Sequence, residues 1–221
     1  MPAEQKRIRL EFHCHTNHSS DGLVSPARLV EICRRKGIER IVVTDHNTTS
    51  GAKAAQQLDP ERVIIGEEIM TQSGELLAAF VQESVPAGLT ALEAIAILRE
   101  QGAFISVSHP FDVYRKGHWK NAALLEIAPL VDAIEVFNSR CTFAAYNRQA
   151  RQFAREQGLL GTVGSDAHAG SEIGRATHLL PDFSDPSSLK LALAAGREMA
   201  RMSGFWVHFY SRYAKWVKNR R

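Results

Sequence analysis

The sequence has few of the features that mark secreted, membrane-spanning or nucleic-acid-coating proteins. Only three cysteines, Cys14, Cys33 and Cys141, occur among its 221 residues. This odd and widely spaced set argues against a disulfide framework and favours a reducing compartment. The start of the chain has no signal-like apolar stretch, and the longest apolar runs fall far short of the roughly 20 residues of a membrane helix. We therefore expect a cytoplasmic protein without a transmembrane segment.

The chain also lacks a large excess of positive or negative charge. The net charge is +3, and 23% of the residues are charged against 44% hydrophobic, which is ordinary for a soluble domain. The excess basicity is concentrated in the last ten residues, which hold Arg212, Lys215, Lys218, Arg220 and Arg221. A basic face for stable binding of duplex nucleic acid is therefore not expected.

Short apolar runs alternate with helical patterns through most of the chain. Several runs are almost continuously apolar, as in parallel strands that are covered on both faces. Ser25 and Pro26 start the first helical pattern, Thr90 starts the second, and Gly158 ends the third. The runs are IRLEF, RIVVT, RVIIG, ELLAAF, AFISVS, AIEVF and LGTVGS. We predict an α/β fold, a distorted seven-stranded (β/α)7 TIM-like barrel in a single domain, with an open doubly wound sheet as the alternative.

Histidines and carboxylates follow the ends of these runs. Carboxyl ends of parallel barrel strands converge on one face, where barrel enzymes place their active sites. The two histidines of HCH are two residues apart, so both imidazoles point the same way on an extended segment, and SDAH repeats this spacing. The residues concerned are His13, His15, Asp21, Asp45, His46, Glu68, His109, Asn138, Asp166 and His168. We expect them to meet in one pocket.

This set of side chains predicts a metal centre. Histidine and carboxylate ligands without cysteine suit Zn²⁺, Mn²⁺ or Fe²⁺. Two such ions about 3.5–4 Å apart can hold a phosphate and activate water. Each piece alone has an ordinary explanation, since an HxH pair often lies at a solvated strand end and SDAH can cap a helix. It is their joint occurrence that favours metal binding.

In the order HCHTNHSSDG, TDHN, GEEI, SHP, EVFN and GSDAH, these motifs resemble the PHP (polymerase and histidinol phosphatase) family of metal-dependent phosphoesterases. The resemblance covers roughly residues 8–180. It implies a hydrolase of phosphate esters with two or three divalent metal ions. By this likeness one ion is held by His13, His15, Glu68 and Asp166, a second by Asp21, His46 and His168, and Glu68 bridges to a third position near His109.

The chain departs from the family pattern in two places. Many relatives carry a further His or Cys after the sixth strand, where this sequence has Asn138, a poor ligand for Zn²⁺ or Mn²⁺. The small domain that some relatives insert after GEEI is missing. The likeness is therefore to a compact subgroup, with a phosphoesterase domain over residues 1–180 and a basic, aromatic helical extension over residues 181–221 packed on it.

The resemblance also suggests roles in the reaction. Water activated by the metal ions attacks phosphorus, and His46 holds one of these ions. Asp45 either orients an imidazole or takes a proton. Arg140 follows the sixth strand and either contacts a phosphate or is a surface arginine at a helix start.

Two other functions stay open. Metal-bearing barrels of the amidohydrolase type hydrolyse C–N bonds, but this sequence lacks a plausible carboxylated lysine at a strand end and has Asp21 after HCH. A metal-loaded, non-catalytic partner-binding module is the second. The segment FWVHFYSRYAKWVKNRR fits a basic amphipathic helix that packs on the barrel or on a second copy of the chain, or touches anionic lipid or RNA. The substrate is expected to be a phosphorylated small molecule or a short nucleic acid.

Overall fold

The computed structural model describes residues 6–218 and 220, apart from the side chain of His208. Arg221, one of the basic residues at the chain end, lies outside this part. Within it, nine strands form one sheet in the order β7-β6-β5-β4-β3-β2-β1-β8-β9. The strands are β1 (Arg7–Cys14), β2 (Arg40–Val43), β3 (Val63–Met70), β4 (Glu75–Ala79), β5 (Phe104–Val107), β6 (Ala133–Asn138), β7 (Leu160–Gly164), β8 (Ala176–Pro181) and β9 (Arg197–Ala200).

Helices connect most of the strands, and their ends carry the expected signals. The Ser25 side chain caps α1 by accepting a hydrogen bond from the backbone N–H of Arg28, and Gly37 ends this helix with a left-handed φ of 62°. Thr90 and Glu93 form a capping box at α3. The helices are α1 (Pro26–Lys36), α2 (Ser50–Leu58), α3 (Ala91–Glu100), α4 (Asn121–Ile127) followed by a 3-10 turn (Ala128–Leu130), α5 (Ala144–Gln157), α6 (Pro186–Ala195) and α7 (Val207–Lys218).

The barrel-like α/β class is confirmed, but the strands differ in number and direction from the expected seven parallel ones. β8 and β9 are additional and antiparallel to their neighbours. β4 also runs antiparallel to both β3 and β5. Only residues 71–74 separate β3 from β4, which is too short for the crossover that parallel neighbours need. The parallel direction expected for β4 is therefore wrong.

Contacts at the carboxyl end of β1, an inner strand of the sheet, join it to the segment that follows the edge strand β7 and so close the barrel. The backbone N–H of Asp166 donates to His13 O at 2.8 Å, and that of His15 donates to Ala167 O at 2.9 Å. Gly164 permits this approach, because a Cβ there would lie 2.3 Å from His13 Cβ. The contacts that close the barrel thus place the HCH and SDAH segments side by side.

A buried apolar cluster supports the polar end of the barrel. Phe12 and Phe104 meet edge to face with ring centroids 5.6 Å apart. Their cluster includes residues of seven strands and of α6, among them Leu10, Leu180 and Leu189. Burial of this apolar surface is the main favourable contribution to folding, and it holds the strand ends that carry the polar residues.

The region after residue 180 continues the same sheet, because β9 pairs with β8. Its last helix, α7, packs on the barrel through Ala214, which is fully buried. The opposite face of the segment exposes the aromatic side chains of Phe205, Trp206, Phe209, Tyr213 and Trp216. A division of the chain at residue 180 stays a prediction, as does contact of the exposed aromatic face with a second copy of the chain, lipid or RNA.

Among the described residues, no helix has both the length and the apolar character needed to cross a bilayer. The three cysteines are buried and do not form disulfides with one another. A cytoplasmic location stays a prediction.

Candidate metal centre

All eight predicted metal ligands lie together at one end of the barrel. Glu68 is at the centre: its carboxylate lies 3.3 Å from His13 Nε2, 3.4 Å from His15 Nε2, 3.0 Å from His46 Nδ1 and 3.2 Å from His109 Nε2. Asp166 contacts the cluster through His15, and Asp21 contacts it through His46 and also contacts His168. The contacts are Asp166 Oδ1 to His15 Nε2 at 3.2 Å, Asp21 Oδ1 to His46 Nε2 at 3.6 Å and Asp21 Oδ1 to His168 Nε2 at 3.1 Å.

Three overlapping groups within this cluster have ligand atoms close enough to share a cation. In each group these atoms lie within 4.8 Å of one another. The groups are His13, His15 and Glu68; His15, His46 and His168; and His46, Glu68 and Glu75. The first group lies within the ligand set expected for the first ion. The second combines His46 and His168, expected for the second ion, with His15, which is expected for the first.

Unpartnered carboxylate oxygens fit a cation at this place. Asp21 Oδ1, Glu68 Oε2 and Asp166 Oδ1 are buried and accept no hydrogen bond from any described residue. Buried polar atoms without a partner are uncommon, because desolvation without compensation costs free energy. Each of these oxygens faces imidazole nitrogens of the cluster. An arrangement of this kind is suited to divalent metal ions.

Glu135 orients His13 for metal binding. The Nδ1 of His13 donates to Glu135 Oε1 at 2.9 Å, so the lone pair is on Nε2, which faces Glu68. Glu135 Oε2 also accepts the backbone N–H of His109 at 2.9 Å. One buried carboxylate thus positions two of the predicted ligands, an arrangement common around protein-bound metals. Glu135 was not predicted as a site residue from the sequence, because it lies within β6 and not at its end.

Asp45 orients His15 through a serine. Ser19 Oγ donates to Asp45 Oδ1 at 2.8 Å and lies 3.2 Å from His15 Nδ1, whose proton it accepts. Thr16 contributes two further hydrogen bonds to Asp45, from its backbone N–H and its hydroxyl, each at 2.6 Å. The buried carboxylate is therefore engaged as an acceptor, and the imidazole that it orients is His15 and not its neighbour His46. An orienting role is one of the two alternatives expected for Asp45.

Arg140 is buried beside His168. Its guanidinium lies 2.5 Å from His168 Nδ1 and 3.2 Å from Glu172 Oε1, and it donates to Ser211 Oγ at 2.9 Å. With 3% of its surface exposed, it is not the surface arginine of the alternative interpretation. His168 Nδ1 also lies 2.8 Å from Asp166 O, which accepts its proton when Nε2 carries the lone pair. Contact of Arg140 with a phosphate stays a prediction.

Asn138 does not offer its side-chain oxygen to the cluster. Its Oδ1 accepts the backbone N–H of Arg140 at 2.8 Å. Its Nδ2 donates to Glu135 at 3.0 Å and to Asp166 at 3.2 Å. The amide group of Asn138 thus links two carboxylates of the site.

Glu75 stands beside His109, with the two side chains 3.4 Å apart. Glu75 was not among the predicted ligands because it begins a strand, whereas every predicted ligand follows an apolar run. Since β4 is reversed, its first residue lies at the same end of the barrel as the last residues of its neighbours. The short link between the two strands was the available signal, because it requires a hairpin.

Arg115, also missed, adds a cation to the cluster. It lies in the loop after β5, and its Nη2 is 2.6 Å from Asp166 Oδ2. Burial alone would raise the pKa of the Asp166 carboxyl, but Arg115 and His13 hold it well below its usual range. Nothing in the order of the motifs indicates a contact between this loop and the SDAH segment.

The carboxylates and imidazoles at the centre strongly shift one another's pKa values. Burial opposes both charges, yet the pKa of Glu68 lies well below its usual value because of His13 and His46. Burial would likewise lower the pKa of His46, but Glu68 raises it to about 10. The pKa of His15 falls to about 3 because of burial and the nearby His168 and His46. Such opposed shifts in one pocket are typical of functional sites.

Two non-glycine residues at the site have left-handed backbone conformations. Asp166 has a φ of 52°, and Asn47, next to His46, has a φ of 53°. This region costs free energy for residues with a Cβ and is often found at active sites. Hydrogen bonds hold both residues, from Asp166 N to His13 O and from Asn47 N to Glu68 O.

The cluster opens into a cavity of about 420 Å³. Asp21, His46, Glu75 and His168 contribute to its wall. So do four basic residues from three parts of the chain, namely Arg115, Lys116, Arg140 and Lys215. A concave site that combines candidate metal ligands with cations is suited to a negatively charged ligand.

Comparison with known proteins identifies the family. The sequence pattern of the PHP domain matches residues 11–151, and that of the PHP-associated family matches residues 144–197. The chain belongs to the PHP domain family. The resemblance expected from the motifs is thereby confirmed, and with it the class of enzyme, a metal-dependent hydrolase of phosphoester bonds.

Other proteins share this PHP architecture. Uncharacterized protein MJ0417 of Methanocaldococcus jannaschii is 35% identical over 172 residues, 76% of this chain and 69% of its own. A protein of Bifidobacterium adolescentis, assigned as a metal-dependent phosphoesterase, superposes with a TM-score of 0.64 at 18% identity, over 85% of this chain and 96% of its own. The lesion-specific endonuclease EndoQ of Pyrococcus furiosus gives a TM-score of 0.56 at 15% identity, over 87% of this chain and 57% of its own. The two structures share the fold.

Proposed function

We propose that this PHP protein hydrolyses phosphate esters of a small molecule or a short nucleic acid, with two or three divalent ions, Zn²⁺, Mn²⁺ or Fe²⁺, as cofactors. The observation that carries the proposal is the convergence of three unpartnered carboxylate oxygens, of Asp21, Glu68 and Asp166, on imidazole nitrogens of one cluster. Part of this cluster lines a cavity whose wall also carries cations. Divalent ions bound there would activate water and neutralise negative charge on a phosphoryl group.

The ligand roles that we propose are those implied by the family resemblance, and the contacts around the side chains support them. We assign His13, His15, Glu68 and Asp166 to one ion and Asp21, His46 and His168 to another. Glu75 is our candidate ligand for a third ion beside His109, because its carboxylate lies 3.4 Å from His109 and 3.7 Å from His46. Glu135, Ser19 with Asp45, and the Asp166 carbonyl each hold an imidazole so that the opposite nitrogen faces the cluster.

The basic residues in the cavity wall support the proposal that the substrate is anionic. Arg115 and Lys116 come from the loop after β5 and Lys215 from α7. Arg115 already pairs with Asp166, whereas Lys116 is exposed. Together they would compensate the charge of a phosphate that the carboxylates alone would repel.

The amidohydrolase alternative receives less support. A carboxylated lysine in such a centre needs a lysine on a barrel strand, and none of the described strands contains one. The lysines at the cavity belong to the loop after β5 and to α7. Hydrolysis of a C–N bond therefore lacks a specific observation in its favour.

A substrate panel with defined metal content tests the proposal. Purified protein is analysed for metals, stripped with a chelator, reloaded separately with Mn²⁺ or Zn²⁺, and assayed with p-nitrophenyl phosphate, bis(p-nitrophenyl) phosphate, a lactone and an anilide. We expect chelation to abolish hydrolysis of the phosphate esters and a divalent ion to restore it. The ratio of the two phosphate rates distinguishes a monoesterase from a diesterase.

The control variants are chosen by position. The double variant His15→Ala, Asp166→Ala removes two candidate ligands, and Leu191→Ala, an exposed side chain on α6, serves as the matched control. Full activity in the double variant, or hydrolysis of the anilide alone, would contradict the proposal.

A further inference from the structure

Helix α7 lies against the mouth of the metal-site cavity and is anchored beside the candidate ligands. Arg140 donates to Val207 O at 2.5 Å and to Ser211 Oγ at 2.9 Å. Near the other end of the helix, Lys218 Nζ donates to Asn17 O at 2.7 Å, in the loop after β1. The helix is thus attached both to the arginine that contacts His168 and to the loop that carries Asp21.

Lys215 projects from this helix into the site. Its Nζ lies 3.2 Å from Asp21 Oδ2, and it lines the cavity together with Ser211. The other oxygen of the same carboxylate, Asp21 Oδ1, faces His168 Nε2 at 3.1 Å. Asp21 therefore stands between the candidate metal centre on one side and an ammonium group on the other.

The Lys215 ammonium can leave Asp21 for another anion. The Lys215 side chain is 56% exposed, and an exposed ion pair of this kind contributes little to stability. A divalent ion held by Asp21 would share the charge of this carboxylate with the Lys215 ammonium, and so would lower the attraction of Asp21 for Lys215. A phosphate in the cavity then offers the ammonium a dianionic acceptor.

We infer that Lys215 is a phosphate-binding residue which α7 supplies to the catalytic cavity, and that it competes with the metal ions for Asp21. This inference rests on the proposed function. It assigns the C-terminal helix a part in substrate recognition, so that the binding site for a phosphate ester is completed by the extension and not by the barrel alone.

The competition predicts that loss of Lys215 has opposite effects on two ligands. In Lys215→Ala, we expect Mn²⁺ to bind about threefold to tenfold more tightly, because a nearby positive charge is removed. Inorganic phosphate should bind the Mn²⁺-loaded variant about tenfold more weakly, because a charged hydrogen-bond donor is lost. Both constants are measured by titration calorimetry on the full chain.

Matched variants separate a binding role from a structural one. Arg212 lies on the same helix and is exposed, and it does not line the cavity, so Arg212→Ala should match wild type in both titrations. Lys215→Arg keeps the charge and should keep most of the phosphate affinity. For an aryl phosphate, we expect Lys215→Ala to raise KM about tenfold and to change kcat less than threefold.

The outcomes distinguish this inference from the proposed function. If the wild type hydrolyses phosphate esters but Lys215→Ala binds phosphate as Arg212→Ala does, the inference fails and the proposed function stands. Parallel weakening of Mn²⁺ and phosphate binding in Lys215→Ala would also overturn it, because that is the signature of a displaced helix. If the wild type binds Mn²⁺ and phosphate but cleaves no phosphoester, the proposed function fails, and opposite shifts in the two titrations would still support the competition at Asp21.

Discussion

The carboxylate of Glu75 lies 3.4 Å from the imidazole of His109, because the start of β4 lies beside the end of β5 in this antiparallel pair. Glu75 begins β4 and His109 follows β5. The reversal of one strand in an otherwise largely parallel barrel therefore brings an additional carboxylate to the end that carries the candidate metal ligands.

Replacement of Glu75 by glutamine should reduce the capacity of the site for metal. The carboxylate belongs to the group formed with His46 and Glu68, and an amide is a weaker ligand for a divalent ion. We expect metal binding at the position beside His109 to weaken by about ten- to a hundredfold, measured as a lower metal content per chain. Glu67→Gln is the control, because Glu67 contacts Ser84 and Val85 instead. Equal metal content in the two variants would argue against a role for Glu75.

Removal of the Ser19 hydroxyl should impair the site without touching a ligand atom. Ser19 accepts the proton of His15 Nδ1 and donates to Asp45. In Ser19→Ala the tautomer of His15 is no longer held, and we expect metal affinity or activity to fall by about ten- to a hundredfold. Ser187→Ala, at an exposed position on α6, should have no effect. If Ser19→Ala retains wild-type affinity for Mn²⁺, the hydrogen-bonded chain does not orient His15.

A methyl group at Gly164 should separate the two segments that close the barrel. A Cβ there would lie 2.3 Å from His13 Cβ and 2.7 Å from Glu135 Oε1. We expect Gly164→Ala to lower the free energy of unfolding by about 1–3 kcal/mol and to weaken metal binding, as measured by urea denaturation and calorimetry. Gly204→Ala is the comparison, because a Cβ at Gly204 meets no atom within 4 Å. If the two variants have the same free energy of unfolding and the same metal affinity, the HCH and SDAH segments can move apart without loss of stability or metal binding.

His178 should make the fold sensitive to acid independently of the metal centre. Its Nε2 accepts the backbone N–H of Val163 at 2.9 Å, and burial lowers its pKa from 6.5 to about 4. Because the unfolded chain takes up this proton at higher pH than the folded one, the stabilisation is present above pH 6.5 and is lost as the pH falls through about 4. A shift of this size corresponds to about 3 kcal/mol.

The measurement compares wild type with His178→Gln, which has an acceptor but no titrating group, by urea denaturation between pH 4 and 8 in chelator. The wild type should lose more stability on acidification than the variant. Because the other titrating groups are common to both proteins, their contributions largely cancel in the difference. Parallel stability curves would show that His178 does not contribute.

The meeting of the candidate ligands at one end of the barrel was predictable because two local signals coincide in these residues. The first signal is residue type, because His and Asp side chains are common ligands of divalent ions. The second is position, because the apolar runs before His13, His46 and His109 indicate where strands end. In a barrel with converging strand ends, that information is sufficient to bring distant residues together. It does not reveal strand direction, and so the reversal of β4 and the place of its first residue, Glu75, in the site were missed.

The sequence by itself determined the family, the barrel-like α/β class and the side chains that meet in the polar pocket, because these depend on residue type, on apolar runs and on the order of short motifs. Only the tertiary structure decided that Glu135 and Ser19 orient the imidazoles, that Arg115 pairs with Asp166, and that Lys215 reaches Asp21. These contacts join residues through strand pairing, loop path and helix docking, and their geometry depends on the packing of the whole chain and not on any local pattern.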